Sequence, residues 1–241
     1  DELPDEAAPV LEHCGRLPLA LSLCGALARE GMPWSDLAEA LAEADLEYVE
    51  HDLEHYPHRN VLAAIQLSVD ALAPEEAQRF AELRVFPPDE TVPEAAVLTL
   101  WAHTGGLSEP HGRKLLTTLE RRALVRLDGV APDRHLSLHD LVYDYTARMI
   151  TDERALHGQL LQAYRKQCAD GWASGPDDGH FLQHLRDHLK AAGQAGELRG
   201  LALDLRWLEV KAEAGLVFDL PNDFAAAREA VPADDPWARN L

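Results

Sequence analysis

The hydrophobic period changes from helix-like to strand-like between residues 60 and 150, and this change restricts the fold more than any other feature of the chain. Apolar residues first recur at spacings of three and four, at Val61, Ile65, Val69 and Leu72. This spacing is typical of an amphipathic helix. Residues 123–127 and 134–140 instead alternate in polarity around the turn-forming pair Asp128–Gly129, which predicts a β-hairpin. Helices followed by one short hairpin indicate a winged helix.

Helical periodicity dominates the rest of the chain. Prolines at positions 18, 74 and 93 each open a helical stretch, and proline suits the first turn of a helix because it has no N–H to leave unbonded. The sequence predicts helices over residues 5–13, 17–30, 33–44, 74–86, 93–104, 111–122, 153–169 and 180–193. One further helix is expected to carry a narrow packing seam at Leu198, Leu201, Leu205, Leu208 and Ala212. We therefore predict a mainly α protein.

These patterns divide the chain into four segments. We expect the end of a helical domain over residues 1–50 and a connector over residues 51–59. A winged-helix domain with its small β-hairpin follows over residues 60–150, and a helical bundle or superhelical arm over residues 151–241. The chain starts at Asp1 and has no initiator methionine, so we expect it to be cut from a longer protein.

Residues 17–28 carry no charge, which raises the question of a membrane or export segment. The run has twelve residues, whereas a membrane span needs roughly 20 apolar residues. Residues 1–13 before it are acidic, although an export signal has basic residues there. The run is therefore expected to form a helix opened by Pro18, in a protein without a membrane partner.

The charge of the chain bears on its partners. The formal net charge is −20, and 14 acidic against 3 basic residues give residues 1–59 a net charge of −11. Nucleic-acid binders carry basic surfaces because the neutralisation of phosphates supplies most of their affinity. The composition therefore argues against a nucleic-acid partner.

Cysteine and arginine usage indicate the compartment and the source. The three cysteines, Cys14, Cys24 and Cys168, have no metal-ligand spacing, so we interpret them as reduced cytoplasmic thiols. The chain has 18 arginines against 4 lysines and abundant alanine, which indicates a GC-rich bacterial genome.

One basic stretch supports an alternative function. Residues 111–127 contain one acidic residue, Glu120, and the basic residues Arg113, Lys114, Arg121, Arg122 and Arg126. A DNA-binding winged helix would place its recognition helix here. A DNA-binding regulator and a plain helical interaction scaffold therefore stay open as alternatives, although these bases can also face the acidic N-terminal region.

Two histidine groups are candidates for metal ligands. His180, His184 and His188 recur at every fourth position, and His51, His55 and His58 lie in the acidic connector. Neither group comes with a cysteine or a clear fourth ligand of the kind zinc prefers. We interpret both as structural or solvated and predict no metal.

Two short motifs and one longer segment resemble the NB-ARC family of STAND-class nucleotide-switch ATPases. The string "CGRLPLAL" at residues 14–21 is similar to the Gly-Leu-Pro-Leu motif of that family, and "SLHDLV" at residues 137–142 is similar to its Met-His-Asp motif. Residues 177–213 look like the helical domain before the WD-repeat propellers of the bacterial members. By this resemblance, residues 1–50 are the end of an ARC1-like domain and residues 60–150 are an ARC2-like domain.

The resemblance implies a set of nucleotide-binding residues. Leu17, Pro18 and Leu19 would bind the nucleotide, with Pro18 lining the adenine pocket. His139 would contact the β-phosphate of ADP, and Asp140 would fix the backbone beside it. The chemistry is suitable, because proline offers a flat ring without a donor and His139 precedes the positive end of a predicted helix.

The chain departs from these motifs at two positions and lacks the catalytic ones. Arg16 stands where the first motif has glycine, and Leu138 stands where the second has methionine. The sequence has neither a Gly-x-x-x-x-Gly-Lys-Ser/Thr loop nor an acidic strand end for Mg²⁺, and phosphoryl transfer in this class needs both. We therefore expect that this chain is not an enzyme by itself and requires no cofactor. The full-length protein is expected to be a STAND-class ATPase that uses ADP and ATP.

The resemblance also implies partners. These are the nucleotide-binding domain missing from the chain, a C-terminal WD-repeat propeller, and further copies of the activated full-length protein.

Overall fold

The computed structural model describes residues 3–43, 59–88 and 90–230, and its fold is mainly α, as predicted. The α-helices of these residues are α1 (Ala8–His13), α2 (Pro18–Arg29), α3 (Trp34–Glu43), α4 (Arg59–Asp70), α5 (Pro74–Ala81), α6 (Glu94–Thr104), α7 (Glu109–Arg121), α8 (Asp140–Met149), α9 (Glu153–Arg165), α10 (Phe181–Ala191), α11 (Ala195–Leu203), α12 (Leu205–Glu213) and α13 (Leu220–Ala230). Short 3₁₀ helices cover Asp5–Ala7, Glu82–Val85, Trp172–Ser174 and Val217–Asp219.

Three short strands form one small sheet. They are β1 (Val92–Pro93), β2 (Arg126–Asp128) and β3 (His135–Ser137), in the order β1-β3-β2. The turn between β2 and β3 begins at Gly129, which has a φ of +93°. A Cβ at this position would lie 3.0 Å from the carbonyl oxygen of Asp133, so the turn requires glycine. The predicted hairpin is confirmed.

Two compact units are present. The first contains Asp1–Thr91, Arg113–Asp128 and Leu136–Ile150, and the second contains Val92–Gly112, Gly129–His135 and Thr151–Leu241. Residues 60–150 thus contribute to both units. Residues 51–58 of the predicted connector lie outside the described part of the chain, and the predicted domain boundaries stay a prediction.

Helix α4 organises the first unit. Helices α2, α3 and α8 all pack against it. Its predicted apolar face is buried, as are the residues that fill the same core from other helices and from β3. The large aliphatic and aromatic side chains of this core that are 0% exposed include Leu23, Leu37, Ile65, Phe80, Leu83, Leu116, Leu119, Leu136 and Val142.

Helix α2 accounts for the uncharged run of the sequence. It begins at Pro18 after the extended residue Leu17, and it buries Ala20, Leu23 and Leu27 on one side. Among the described residues, no helix combines the length and the apolar character that crossing a membrane requires.

The second unit has a core of aromatic side chains. Helix α9 packs against α6 and α10, and α11 packs against α13. The ring centroids of Tyr164 and Phe181 are 4.9 Å apart, and those of Phe181 and Trp207 are 5.9 Å apart. The second pair meets edge to face, which is a favourable arrangement for aromatic rings.

A buried ionic cluster lies beside this core. The ammonium group of Lys211, which is 0% exposed, donates to the carboxylate of Asp223 at 2.9 and 3.1 Å. The indole N–H of Trp207 donates to the same carboxylate at 3.0 Å. Arg186 bridges Asp223 and Asp219 at 2.9 and 2.8 Å. Two cations thus meet the carboxylates of Asp219 and Asp223, and Arg186 also contacts the more exposed carboxylate of Asp187 at 3.1 Å.

The single helix predicted over Leu198–Ala212 is wrong. The chain bends at Asp204, whose carboxylate accepts the N–H of Arg206 at 3.0 Å and caps a new helix, α12. Aspartate is a preferred residue at this capping position. Leu198 and Leu201 are buried on α11, whereas Leu205 is 73% exposed at the start of α12. The residues of the predicted packing seam therefore lie on two helices, α11 and α12, instead of one.

Candidate functional site

The turn between α1 and α2 holds Arg16, the residue that departs from the first motif. Cys14 ends α1, and Gly15 and Arg16 follow with φ values of +58° and +57°. The N–H groups of Gly15 and Arg16 donate to Glu12 and Leu11 carbonyls at 2.9 and 3.3 Å. This left-handed conformation favours glycine, which has no Cβ. Arg16 thus adopts a conformation that suits glycine, and its side chain is exposed.

The predicted adenine-binding residues stand at the start of α2. Leu17 is extended, with φ −78° and ψ 127°, and precedes Pro18 in the first turn of the helix. Pro18 is exposed, Leu17 and Leu19 are half-buried, and Ala20 behind them is fully buried. The proline ring is thus held by a packed helix and is accessible to a ligand.

The predicted phosphate-binding residues stand at the start of α8. His139 is the residue before the helix, and its Nδ1 accepts the N–H of Leu141 at 3.2 Å. Because Nδ1 accepts a hydrogen bond, a neutral His139 carries its proton on Nε2. Both His139 and Asp140 are exposed, and the neighbours Leu136 and Val142 are fully buried. The imidazole therefore offers an N–H donor at the positive end of a helix whose start is anchored in the core.

All five predicted nucleotide-binding residues lie in the first unit. They occupy the N-terminal ends of α2 and α8, and α4 packs against both of these helices. One core thus supports both motif segments.

The basic stretch of α7 and β2 is partly neutralised by acidic residues. Arg122 contacts the carboxylate of Glu30 at 3.1 Å, and Arg121 approaches the same group at 4.0 Å. Arg126 contacts Asp128 at 3.1 Å. Glu30 belongs to the acidic N-terminal region. Two of the basic residues therefore contact that region, which is the arrangement that the sequence offered as an alternative to DNA binding.

His180, just before the start of α10, and the histidines within that helix form part of a chain in which His180 and His188 are buried. His188 bonds His157 through Nδ1 and His180 through Nε2, each at 2.9 Å. The ring of His184 stacks on His180 with centroids 4.3 Å apart. Burial lowers the pKa of His180 to about 3 and holds the pKa of His188 well below its usual value. Sequence reasoning missed His157, because it lies on α9, 31 residues before His188.

This arrangement is a chain and does not converge on one point. The two neighbours of His188 use opposite nitrogens of its ring. Within the described residues, no group of three or more His, Cys, Asp or Glu residues is placed to hold a metal ion. The second histidine group, residues 51–58, lies outside those residues.

Comparison with known proteins bears on the same segments. Residues 154–239 match the family described as the APAF-1 helical domain. The chain is 26% identical over 244 residues to apoptotic protease-activating factor 1 of Danio rerio, covering 99% of this chain and 19% of that protein. The comparisons support an NB-ARC-like family. The human protein of the same name is 22% identical over 239 residues, covering 97% of this chain and 19% of its own length.

A plant relative extends the NB-ARC-like similarity. Disease resistance protein RFL1 of Arabidopsis thaliana is 27% identical over 164 residues, covering 63% of this chain and 18% of its own length. The chain therefore spans about a fifth of each of these relatives, and both motif segments lie within the Danio rerio similarity.

Proposed function

We propose that this chain is the regulatory part of a longer, ADP- and ATP-dependent signalling switch. In this role the first unit closes over a nucleotide that a separate nucleotide-binding domain holds, and the second unit couples closure to assembly. The observation that carries the proposal is the presence of both motif helix starts on one core, with α4 packed against α2 and α8. The similarity to apoptotic protease-activating factor 1 over 99% of the chain supports it.

The two helix starts have different chemical roles in this proposal. Pro18, flanked by Leu17 and Leu19, presents an apolar surface for the adenine ring. His139 donates its Nε2–H to the β-phosphate, since Nδ1 is engaged with the N–H of Leu141. Asp140 holds the first turn of α8 through its charge at the positive end of the helix.

Catalysis is assigned to the rest of the switch. The sequence has no Gly-x-x-x-x-Gly-Lys-Ser/Thr loop, and such a loop supplies the phosphate contacts of P-loop enzymes. The proposed partners are a nucleotide-binding domain, a WD-repeat propeller and further copies of the switch. A cytoplasmic setting and a bacterial source are part of the same proposal.

This chain alone is expected to bind ADP weakly or not detectably and to have no ATPase activity. Only the adenine contact and one histidine contact would come from this chain, and the groups that enclose the phosphates would be absent. Isothermal titration with ADP and a phosphate-release assay with ATP test this expectation. Sub-micromolar affinity for ADP, or measurable turnover, would contradict the division of the site between two parts of a longer protein.

The alternative of a DNA-binding regulator has a direct test. A gel shift with mixed duplexes at moderate salt is expected to show no complex, because Glu30 already neutralises part of the basic stretch. Sequence-dependent binding that Arg121→Glu abolishes would favour the alternative.

A further inference from the structure

Two cysteines meet at the turn that precedes α2. The sulfur atoms of Cys14 and Cys24 lie 3.5 Å apart, and both residues are 0% exposed. A disulfide has a bond of about 2.05 Å, so the sulfurs have roughly 1.5 Å to close. Their side chains already point at one another.

The two thiols are chemically unequal. The hydrogen bond between them lowers the pKa of Cys14, whereas the same bond and burial raise the pKa of Cys24. The thiolate is the reactive form of cysteine. Cys14, which adjoins the exposed residues Gly15 and Arg16, is therefore the first nucleophile, and Cys24 is a neighbouring thiol placed to react second.

We propose that Cys14 and Cys24 are a redox-sensitive pair that hydrogen peroxide converts to a disulfide. The thiolate of Cys14 attacks one oxygen of peroxide and the O–O bond breaks. Hydroxide departs, and Cys14 becomes a sulfenic acid. The hydroxide takes the proton of Cys24. The Cys24 thiolate attacks the Cys14 sulfur, the S–O bond breaks, and the second hydroxide takes up the proton that Cys14 had lost. The two thiols are oxidised by two electrons, and peroxide is reduced to two waters.

The oxidant follows from the burial of the pair. A small neutral molecule can reach sulfurs that open only transiently to solvent, whereas a peptide disulfide or a protein oxidant needs an exposed thiol. A cytoplasmic disulfide is typically transient and regulatory, and a thiol reductant reverses this one.

The cross-link would act on a defined element. It joins the end of α1 to the middle of α2 and encloses the left-handed turn at Gly15 and Arg16 together with Leu17 and Pro18. The proposed cross-link itself needs only the two thiols and peroxide, whereas any role of the enclosed residues Leu17 and Pro18 toward a nucleotide rests on the proposed function.

Mass spectrometry of the peroxide-treated chain tests the proposal. The variant Cys168→Ser, which keeps only the pair, is expected to lose two hydrogens in most molecules and to give a Cys14–Cys24 linked peptide under non-reducing digestion. Dithiothreitol is expected to restore the original mass. The matched variant Cys24→Ser in the Cys168→Ser background keeps a hydroxyl beside Cys14 but has no second thiol. It is expected to accumulate a sulfenic acid on Cys14 that dimedone traps once the peroxide-treated chain is unfolded.

Two outcomes would overturn the proposal. One is a Cys168→Ser chain whose two thiols stay reduced under peroxide while Cys168 of the unmodified chain becomes oxidised. The other is oxidation of Cys14 beyond the sulfenic acid with Cys24 present and no linked peptide. Circular dichroism of each variant before treatment establishes that the compared chains are folded.

Discussion

Replacing Asp223 by alanine is expected to lower the free energy of unfolding of the second unit by about 3–5 kcal/mol, the usual effect of removing one partner of a buried ion pair. Asp223 is 1% exposed and accepts bonds from Lys211, Arg186 and Trp207. Its removal leaves the fully buried ammonium group of Lys211 with less compensating charge and the indole N–H of Trp207 without its acceptor. Buried groups left in this state incur a large desolvation cost.

Urea unfolding followed by circular dichroism measures this effect, and helix α13 supplies the control. Glu229 on the same helix accepts a bond from Lys190 at 2.7 Å, but the two side chains are 65% and 55% exposed. Exposed ion pairs contribute little to stability, so Glu229→Ala is expected to change the unfolding midpoint far less. Equal midpoints for Asp223→Ala and Glu229→Ala would show that the buried cluster does not hold the second unit together.

The second unit is also expected to lose stability as the pH falls from about 7 to about 5, by about 2 kcal/mol from His180 alone. The folded pKa of His180 is about 3, lowered from 6.5 by burial and then by His184. The unfolded chain therefore binds a proton that the folded chain excludes. The stabilising contribution is complete above the unfolded pKa and is lost as the pH falls through the window between 6.5 and about 3. His188 adds to the effect in the same direction.

Unfolding midpoints at a series of pH values test this dependence. The variant His180→Asn removes the titrating group and is expected to flatten the slope, whereas His13→Asn, at an exposed position of the first unit, is expected to leave it unchanged. Burial alone would raise the pKa of Asp219, but its bonds to Lys211, Asn222 and Arg186 together outweigh burial and lower that pKa to about 2. This carboxylate of the ionic cluster therefore stays ionised throughout the measured range. Equal slopes for the unmodified chain and His180→Asn would contradict the account.

Helix starts and the hairpin were predictable because local chemistry determines them. Pro18 and Pro74 each occupy the first turn of a helix, where the missing N–H costs no hydrogen bond. The Asp128–Gly129 pair marks the turn between β2 and β3, since only glycine adopts the required φ without strain. The position of His139 at the junction of β3 and α8 followed from the same two patterns.

The buried polar groups were not predictable from the sequence. The spacing of His180, His184 and His188 indicates one helical face, but tertiary packing alone decides whether that face meets solvent or His157. Lys211 lies in the polar stretch "LEVKAE". Its burial depends on the carboxylates of Asp219, in the turn after α12, and of Asp223, on α13. The break at Asp204 was missed because the apolar spacing continues across it and only the capping bond ends the helix.

The proposed function depends most directly on His139, and the rate of ADP release tests it. In the longer, nucleotide-binding protein that the proposal requires, His139→Ala is expected to release a fluorescent ADP analogue about 10- to 150-fold faster, because a hydrogen bond to a charged phosphate contributes about 1.5–3 kcal/mol. Asp140→Ala is expected to have a smaller effect and Pro18→Ala the smallest. Asp144→Ala, an exposed change on the same helix α8, is expected to have none. A release rate for His139→Ala equal to that of Asp144→Ala would show that "SLHDLV" is a helix start without a role in nucleotide binding.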